Sequence, residues 1–141
     1  MKILSILLFL FSVNAFACPN QGGNYTCEAA NETWSMSIVQ TQENGVTVYK
    51  RTGGQNEGTY IADGKVRPYK VTANGEEING TISATCSGPK VTIQFLANYH
   101  GTPIDFTEKI SSSNGVLTVM DTTKVGGADT DATNYRCTLN N

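Results

Sequence analysis

The residues of this chain that could do chemistry are few, and four cysteines stand out: Cys18, Cys27, Cys86 and Cys137. The chain contains no C-x-x-C spacing and a single histidine, so it does not match a zinc site. An even number of cysteines in an oxidising compartment indicates disulfides. Four cysteines allow three pairings. We favour Cys18 with Cys27 and Cys86 with Cys137, because the segment 19–23 can turn back between the first two.

The other candidates for catalysis are weak. His100 lies in the turn Tyr99-His100-Gly101, where a solvated loop residue is expected, and no G-x-S-x-G elbow accompanies it. Asp105 and Glu108 are three residues apart, which places them on opposite faces of a strand, and we interpret both as solvated charges. The segment 129–133 lacks the Gly and Glu that complete a calcium loop. We therefore predict no enzyme activity, no metal and no cofactor.

The first seventeen residues read as a secretory signal peptide. Lys2 precedes an apolar run from Ile3 to Val13, and Ala15 and Ala17 fit the small-residue cleavage pattern. Cleavage after Ala17 leaves a single domain, residues 18–141, which we predict to be secreted or periplasmic. Cys18 would then come first, as in a lipoprotein, but Phe16 is bulky where a lipobox has a small residue, so lipid anchoring is disfavoured.

Composition excludes several partners. Ten Lys and Arg stand against twelve Asp and Glu, for a net charge of −2, and the charges are scattered. No basic face for nucleic acid is present. The apolar leader is too short for a transmembrane helix, which needs about 20 apolar residues, so no transmembrane segment is predicted. The oligomeric state stays open.

Regular turn signals divide the rest of the chain. They are Asn44-Gly45, Gly53-Gly54, Asp63-Gly64, Asn74-Gly75, Ser87-Gly88-Pro89, His100-Gly101, Asn114-Gly115 and Gly126-Gly127. Between them apolar and polar residues alternate, as in Trp34, Met36 and Ile38. The pattern predicts an all-β fold, an antiparallel up-and-down meander of about 8–10 strands closing into a barrel, with a β-sandwich as the alternative. We expect one short helical turn at 29–33 and surface loops at 52–58 and 126–133.

One tetrapeptide pattern, N-Y-x-C, occurs at both ends of the predicted domain. Asn24-Tyr25-Thr26-Cys27 and Asn134-Tyr135-Arg136-Cys137 share it. If first and last strands are neighbours, the two tetrapeptides lie side by side. Coincidence is the alternative.

The segment Gly23-Asn24-Tyr25, together with Arg136, resembles the lipocalin and fatty-acid-binding-protein group. There a G-x-W motif opens the first strand and a C-terminal Arg packs over its Trp, whereas here Tyr25 replaces Trp and the C-terminal helix pattern is missing. The resemblance implies an up-and-down barrel. It also implies a disulfide from a mid-barrel strand to the C-terminal segment, which Cys86 and Cys137 could form.

Aromatic residues are the candidates for ligand binding. In a barrel, Trp34, Tyr60, Tyr69, Phe95 and Tyr99 could line a cavity, although such residues more often simply fill the core. The first hypothesis is therefore a small binding protein for an apolar ligand. The alternative is a secreted protein-binding module, such as an enzyme inhibitor or an envelope or adhesion component.

Overall fold

The computed structural model describes residues 17–54 and 56–141, so the predicted signal peptide lies outside the described residues except for Ala17. The described part holds ten strands and no helix, and hence no helix that could span a membrane. The strands are β1 (Gly23–Ala29), β2 (Glu32–Glu43), β3 (Val46–Thr52), β4 (Gly58–Ile61), β5 (Arg67–Ala73), β6 (Glu76–Ser87), β7 (Lys90–Tyr99), β8 (Thr102–Ser113), β9 (Val116–Val125) and β10 (Ala128–Leu139).

All ten strands form one antiparallel sheet in the order β4-β3-β2-β1-β10-β9-β8-β7-β6-β5. Successive strands pair along the chain except β4 and β5, and the first and last strands pair with each other. The sheet curls into a half-barrel that is open between β4 and β5. The predicted meander is confirmed. The β-sandwich alternative is wrong, because one rolled sheet covers its own inner face.

Tight turns follow the Asn-Gly signals. Both residues have positive φ at Asn44-Gly45 (51° and 78°), and Asn74-Gly75 and Asn114-Gly115 are similar. Such paired positive φ angles match the twist of a two-residue hairpin, and Asn and Gly tolerate them best. These predicted turns are confirmed.

Two local predictions are wrong. The segment 29–33 is not helical, because β1 ends at Ala29 and β2 begins at Glu32, with a two-residue turn in which Ala30 has a φ of 49°. The segment 126–133 is mostly strand, because β10 begins at Ala128 and pairs with β9. The predicted loop at 52–58 does connect β3 to β4.

The core lies on the concave face of the sheet. Met36 and Ile38 of β2, and Val91 and Ile93 of β7, are buried at alternate positions, as predicted from the sequence. Burying one such side chain contributes roughly 1.5–3 kcal/mol, so this face supplies most of the stabilisation. Outward positions such as Val39 are exposed.

Our preferred disulfide pairing is wrong. Cys27 bonds to Cys137, and Cys18 bonds to Cys86. Cys27 and Cys137 are register partners on β1 and β10, as neighbouring first and last strands predict. The two N-Y-x-C segments nevertheless meet only at these cysteines, because Tyr25 pairs with Leu139 and Arg136 pairs with Glu28, so the prediction that they lie side by side is wrong. The pairing of Cys86 with Cys137 that the family resemblance implied is wrong because Cys137 bonds to Cys27.

The N-terminal segment 18–22 enters the interior instead of turning back on β1. Gln21 is 1% exposed, and its backbone N–H donates to Oε1 of Gln40 at 2.7 Å. The hydroxyl of Tyr49 donates to the carbonyl oxygen of Pro19 at 2.8 Å, and the Cys18–Cys86 bond ties the segment to β6. Gln21 therefore fills part of the interior, while Asn20 of the same segment stays exposed.

The role implied for Arg136 is also wrong. Arg136 is exposed and pairs in register with Glu28 on the outer face. Tyr25 points inward, where its hydroxyl donates to the carbonyl oxygen of Gln21 at 2.9 Å. Alternation along β10 sends Tyr135 and Cys137 inward and Arg136 outward, so Arg136 does not cover Tyr25.

Candidate ligand cavity

A cavity of about 280 Å³ lies in the interior beside the opening between β4 and β5. This volume is near the lower end of the roughly 300–1,000 Å³ typical of small-molecule sites. Apolar and aromatic side chains form most of its wall, and a few polar groups collect at one end. The lining residues are Arg51, Asn56, Glu57, Tyr60, Tyr69, Val71, Thr72, Ala73, Ile82, Ile93, Phe95, Phe106 and Glu108.

Three of the five predicted ligand-binding aromatics meet here. Tyr60, Tyr69 and Phe95 all line the cavity, although they come from β4, β5 and β7. The rings of Tyr69 and Phe95 meet edge to face, with centroids 6.0 Å apart. Gly80 of β6 makes room for this arrangement, because a Cβ at that position would lie 2.7 Å from Cε2 of Phe95.

The other two predicted aromatics lie elsewhere. Trp34 packs edge to face against Tyr135, with ring centroids 5.2 Å apart. Tyr99 is at the end of β7, where its hydroxyl donates to Oε2 of Glu76 at 2.6 Å and its ring contacts His100. His100 is exposed in a turn, as predicted.

An ion pair forms the polar end of the cavity. Nη1 of Arg51 lies 2.8 Å from Oε1 of Glu108, with the side chains only 2% and 1% exposed. The prediction that Glu108 is a solvated charge is therefore wrong. Asp105 does lie on the opposite face of β8, where its carboxylate accepts from Nε2 of Gln94.

The loop from β3 to β4 completes this polar end. The carbonyl oxygen of Asn56 accepts hydrogen bonds from Nε of Arg51 (2.8 Å) and from the hydroxyl of Tyr60. The Tyr60 hydroxyl also accepts from Nη2 of Arg51 at 3.2 Å. Asn56 thus fixes the loop against the ion pair, and its φ of 59° suits Asn better than most residues.

A second carboxylate lies next to Glu108. Asp121 of β9 is its register partner, and Nδ2 of Asn56 lies 3.2 Å from Oε2 of Glu108 and 3.4 Å from Oδ2 of Asp121. The hydroxyl of Tyr135 donates to Oε2 of Glu108 at 3.2 Å. Oδ1 of Asp121, a residue only 9% exposed, has no hydrogen-bond partner among the described residues.

Burial and charge shift the pKa values of this cluster. Burial, and then the neighbouring Glu108, raise the pKa of Asp121 to about 7. Burial also raises the pKa of Tyr60 to about 12, against the opposing effect of Arg51. Burial acts to lower the pKa of Arg51, but Glu108 outweighs it and the net pKa is raised, so the guanidinium stays charged.

The alternation in β8 could have revealed the buried Glu108. It stands in the inward series Ile104, Phe106, Glu108 and Ile110, and Asp121 follows Leu117 and Val119 in the same way. A carboxylate in an apolar ladder is the sequence signal of a buried, paired charge. Arg51, however, shares its series with Thr47 and Tyr49, so that signal is weaker.

In the residues described, no three His, Cys, Asp or Glu side chains are grouped so as to hold a metal. All four cysteines are in disulfides. The Sγ of Cys18 is bonded to Cys86, so it is not free for the thioether of a lipoprotein.

Fold and cavity together define an all-β, disulfide-bonded protein with a half-barrel whose interior has room for a small molecule. No protein-family model matches this chain, and a search of curated proteins found no similar sequence.

Proposed function

We propose that this protein is an extracytoplasmic small-molecule binding protein that holds its ligand in the cavity beside β4 and β5. The observation that carries the proposal is the combination of an apolar wall with a few convergent polar groups, which is typical of ligand sites. A cavity of about 280 Å³ suits a compound with one or two rings.

The aromatic wall favours a flat, apolar ligand body. Tyr69 and Phe95 present ring edges and faces to the cavity, and Phe106 adds a third ring. Stacked and edge-to-face aromatic contacts each contribute about 0.5–1.5 kcal/mol beyond buried area. The two disulfides tie β1 to β10 and the N-terminal segment to β6, and they suit an oxidising compartment.

The test is titration of the disulfide-bonded protein with 2-naphthol, a neutral aromatic probe, followed by its fluorescence. We expect saturable binding with one site per chain. Val71→Trp places an indole in the cavity from β5 and should abolish binding. Val39→Trp is the matched control, because Val39 is 56% exposed on the outer face and the substitution should leave binding unchanged.

Two results would overturn the proposal. One is the absence of saturable binding to the folded protein. The other is equal binding by the Val71→Trp and Val39→Trp variants, because the probe would then be bound outside the cavity.

Binding of a protein partner along the free sheet edge is the less favoured alternative. An unpaired edge can accept a further strand. Edge strand β5, however, carries Pro68 and Lys70, which are residues that block such pairing. We also propose that the protein is not an enzyme, because Arg51 and Glu108 neutralise each other and the single histidine is remote from them.

A further inference from the structure

Tyr69 lies on edge strand β5, and its side chain reaches across the opening to the other edge of the sheet. Alternation along β5 turns Tyr69 inward, while Pro68 and Lys70 are exposed. The hydroxyl of Tyr69 donates to the carbonyl oxygen of Glu57 at 3.5 Å, just before β4 begins at Gly58. One side chain therefore contacts both sides of the opening.

Two glycines leave the space that the aromatic pair at the opening occupies. A Cβ at Gly58 would lie 2.7 Å from the hydroxyl oxygen of Tyr69 and would displace it. Gly80 of β6 is the register partner of Tyr69, and a Cβ there would lie 2.7 Å from Cε2 of Phe95, the ring that Tyr69 meets edge to face. Packing against β4, β6 and β7 therefore holds the ring of Tyr69, and the long hydrogen bond adds little.

The opening differs on the two sides of Tyr69. On one side, the segment before β5 is bonded to β6, because the backbone N–H of Gly64 donates to the carbonyl oxygen of Ala84 at 2.9 Å. On the other side, residues 71–73 of β5 line the cavity. Tyr69 therefore lies between the bridged part of the opening and the part that borders the cavity. Shortening its side chain would add the space of its ring to the cavity of about 280 Å³.

We propose that Tyr69 sets the upper size limit of the ligand, because its ring ends the cavity at the opening and leaves room for one or two fused aromatic rings but not for four. This inference rests on the proposed function, since it assigns a size class to the ligand of the same cavity. Packing on three strands keeps the ring in place against a larger compound. A site that rejects a compound by steric conflict is selective even where its attractive contacts are the same.

The test compares 2-naphthol with 1-pyrenemethanol, a neutral fluorescent alcohol with four fused rings, in titrations of the parent and of Tyr69→Val. We expect the parent to bind 2-naphthol at least about tenfold more tightly than the larger probe. Tyr69→Val should reduce or reverse this ratio, because it makes space for the larger probe and removes a ring contact from the smaller one. Valine suits an edge strand, so the variant should fold.

Three further variants separate the size of the ring from other effects. Tyr69→Phe keeps the ring without the hydroxyl and should keep the parent's ratio of affinities. Tyr69→Leu should change the ratio in the same direction as Tyr69→Val but less, and it carries the test if Tyr69→Val does not fold. Tyr99→Val is the matched control, because Tyr99 lies at the end of β7, away from the cavity wall, and both affinities should stay unchanged.

The outcomes separate the two proposals. If 2-naphthol binds saturably but 1-pyrenemethanol binds the parent equally well, the size limit is wrong and the binding function stands. The same holds if Tyr69→Val and Tyr69→Leu change both affinities by the same factor, or if Tyr69→Phe loses the discrimination. If 2-naphthol shows no saturable binding to the parent, the function itself is wrong.

Discussion

Asp121 makes the stability of the fold depend on pH in an unusual direction. Its pKa is raised from 3.8 to about 7, first by burial and then by Glu108. Between these two values the folded protein keeps a proton that the unfolded chain has released. The free energy of unfolding therefore falls as the pH rises from about 4 to 7, and the loss is complete above the folded pKa.

We expect Asp121→Asn to remove most of this dependence and to be more stable than the parent at pH 8. One group can contribute up to about 1.4 kcal/mol per pH unit. Urea denaturation at pH 5 and pH 8 measures the difference for each variant. Asp105→Asn should keep the parent's slope, and equal slopes for the parent and Asp121→Asn would contradict the prediction.

Removing only one partner of the Arg51–Glu108 ion pair should strongly lower the free energy of unfolding. Arg51→Met would leave Glu108 fully buried without a cation, and we expect a loss of about 3–5 kcal/mol in the free energy of unfolding at pH 7. Arg51→Met combined with Glu108→Gln removes both charges and should recover much of that loss. A double variant no more stable than Arg51→Met would show that the pair does not act as a unit.

At the residue scale, the sequence indicated which face of a strand a side chain occupies but not which residues it contacts. Tyr60, Tyr69 and Phe95 could be proposed as cavity residues because aromatic side chains alternate with polar ones. Glu108 was misread because its partner Arg51 lies on a strand 57 positions away in the sequence. Alternation shows which face a residue occupies, but it does not show what stands opposite across the interior.

At the scale of elements, Gly80 of β6 pairs with β7 and lies against Phe95, which lines the cavity. A Cβ there would crowd the carbonyl oxygen of Leu96 as well as the ring of Phe95. We expect Gly80→Ala to lower stability by about 1–3 kcal/mol, as overpacking does. Thermal denaturation measures it. Gly22→Ala is the control, because its added Cβ would meet only ordinary contacts of 3.5 Å or more.

The N-terminal segment is a second element with a testable role. Cys18→Ala with Cys86→Ala should release residues 18–22, so the backbone N–H of Gln21 should lose its protection from hydrogen exchange. Cys27→Ala with Cys137→Ala should cost comparable stability, up to about 4–5 kcal/mol by loop entropy, yet keep that protection. Retained protection in the first variant would contradict the assigned role.

The strands and most turns were predictable because Asn-Gly pairs and period-two alternation are local signals. The turn at Ala30-Asn31 was missed because it carries no Gly. The disulfide pairing was not predictable, because it depends on β1 pairing with β10 and on the path of residues 18–22 through the interior. Both are properties of the assembled sheet.

At the scale of the whole molecule, the sheet is long enough to curl round but not to pair its two edges. Strand β4 has four residues, and the segment after it bonds to β6 through the N–H of Gly64 and the carbonyl oxygen of Ala84 at 2.9 Å. The opening between β4 and β5 lies beside the cavity, because residues of both strands line it. If the proposed function is correct, the same gap that prevents closure is the route by which the ligand reaches the interior.

Export of the chain is also a property of the whole molecule, and mass spectrometry of the mature protein tests whether the leader is removed. We expect the chain to begin at Cys18 and to weigh four hydrogens less than the fully reduced sequence, with no acyl groups and no free thiols. The reason is that the bond from Cys18 to Cys86 uses the sulfur that a lipid anchor requires. A lipoprotein would instead show added acyl mass and one free thiol at Cys86, and an uncleaved chain would show the leader; either result would overturn the expectation. Cys18 also anchors the segment that contributes Gln21 to the interior. Cleavage of the leader would therefore make this anchoring residue the first residue of the mature chain.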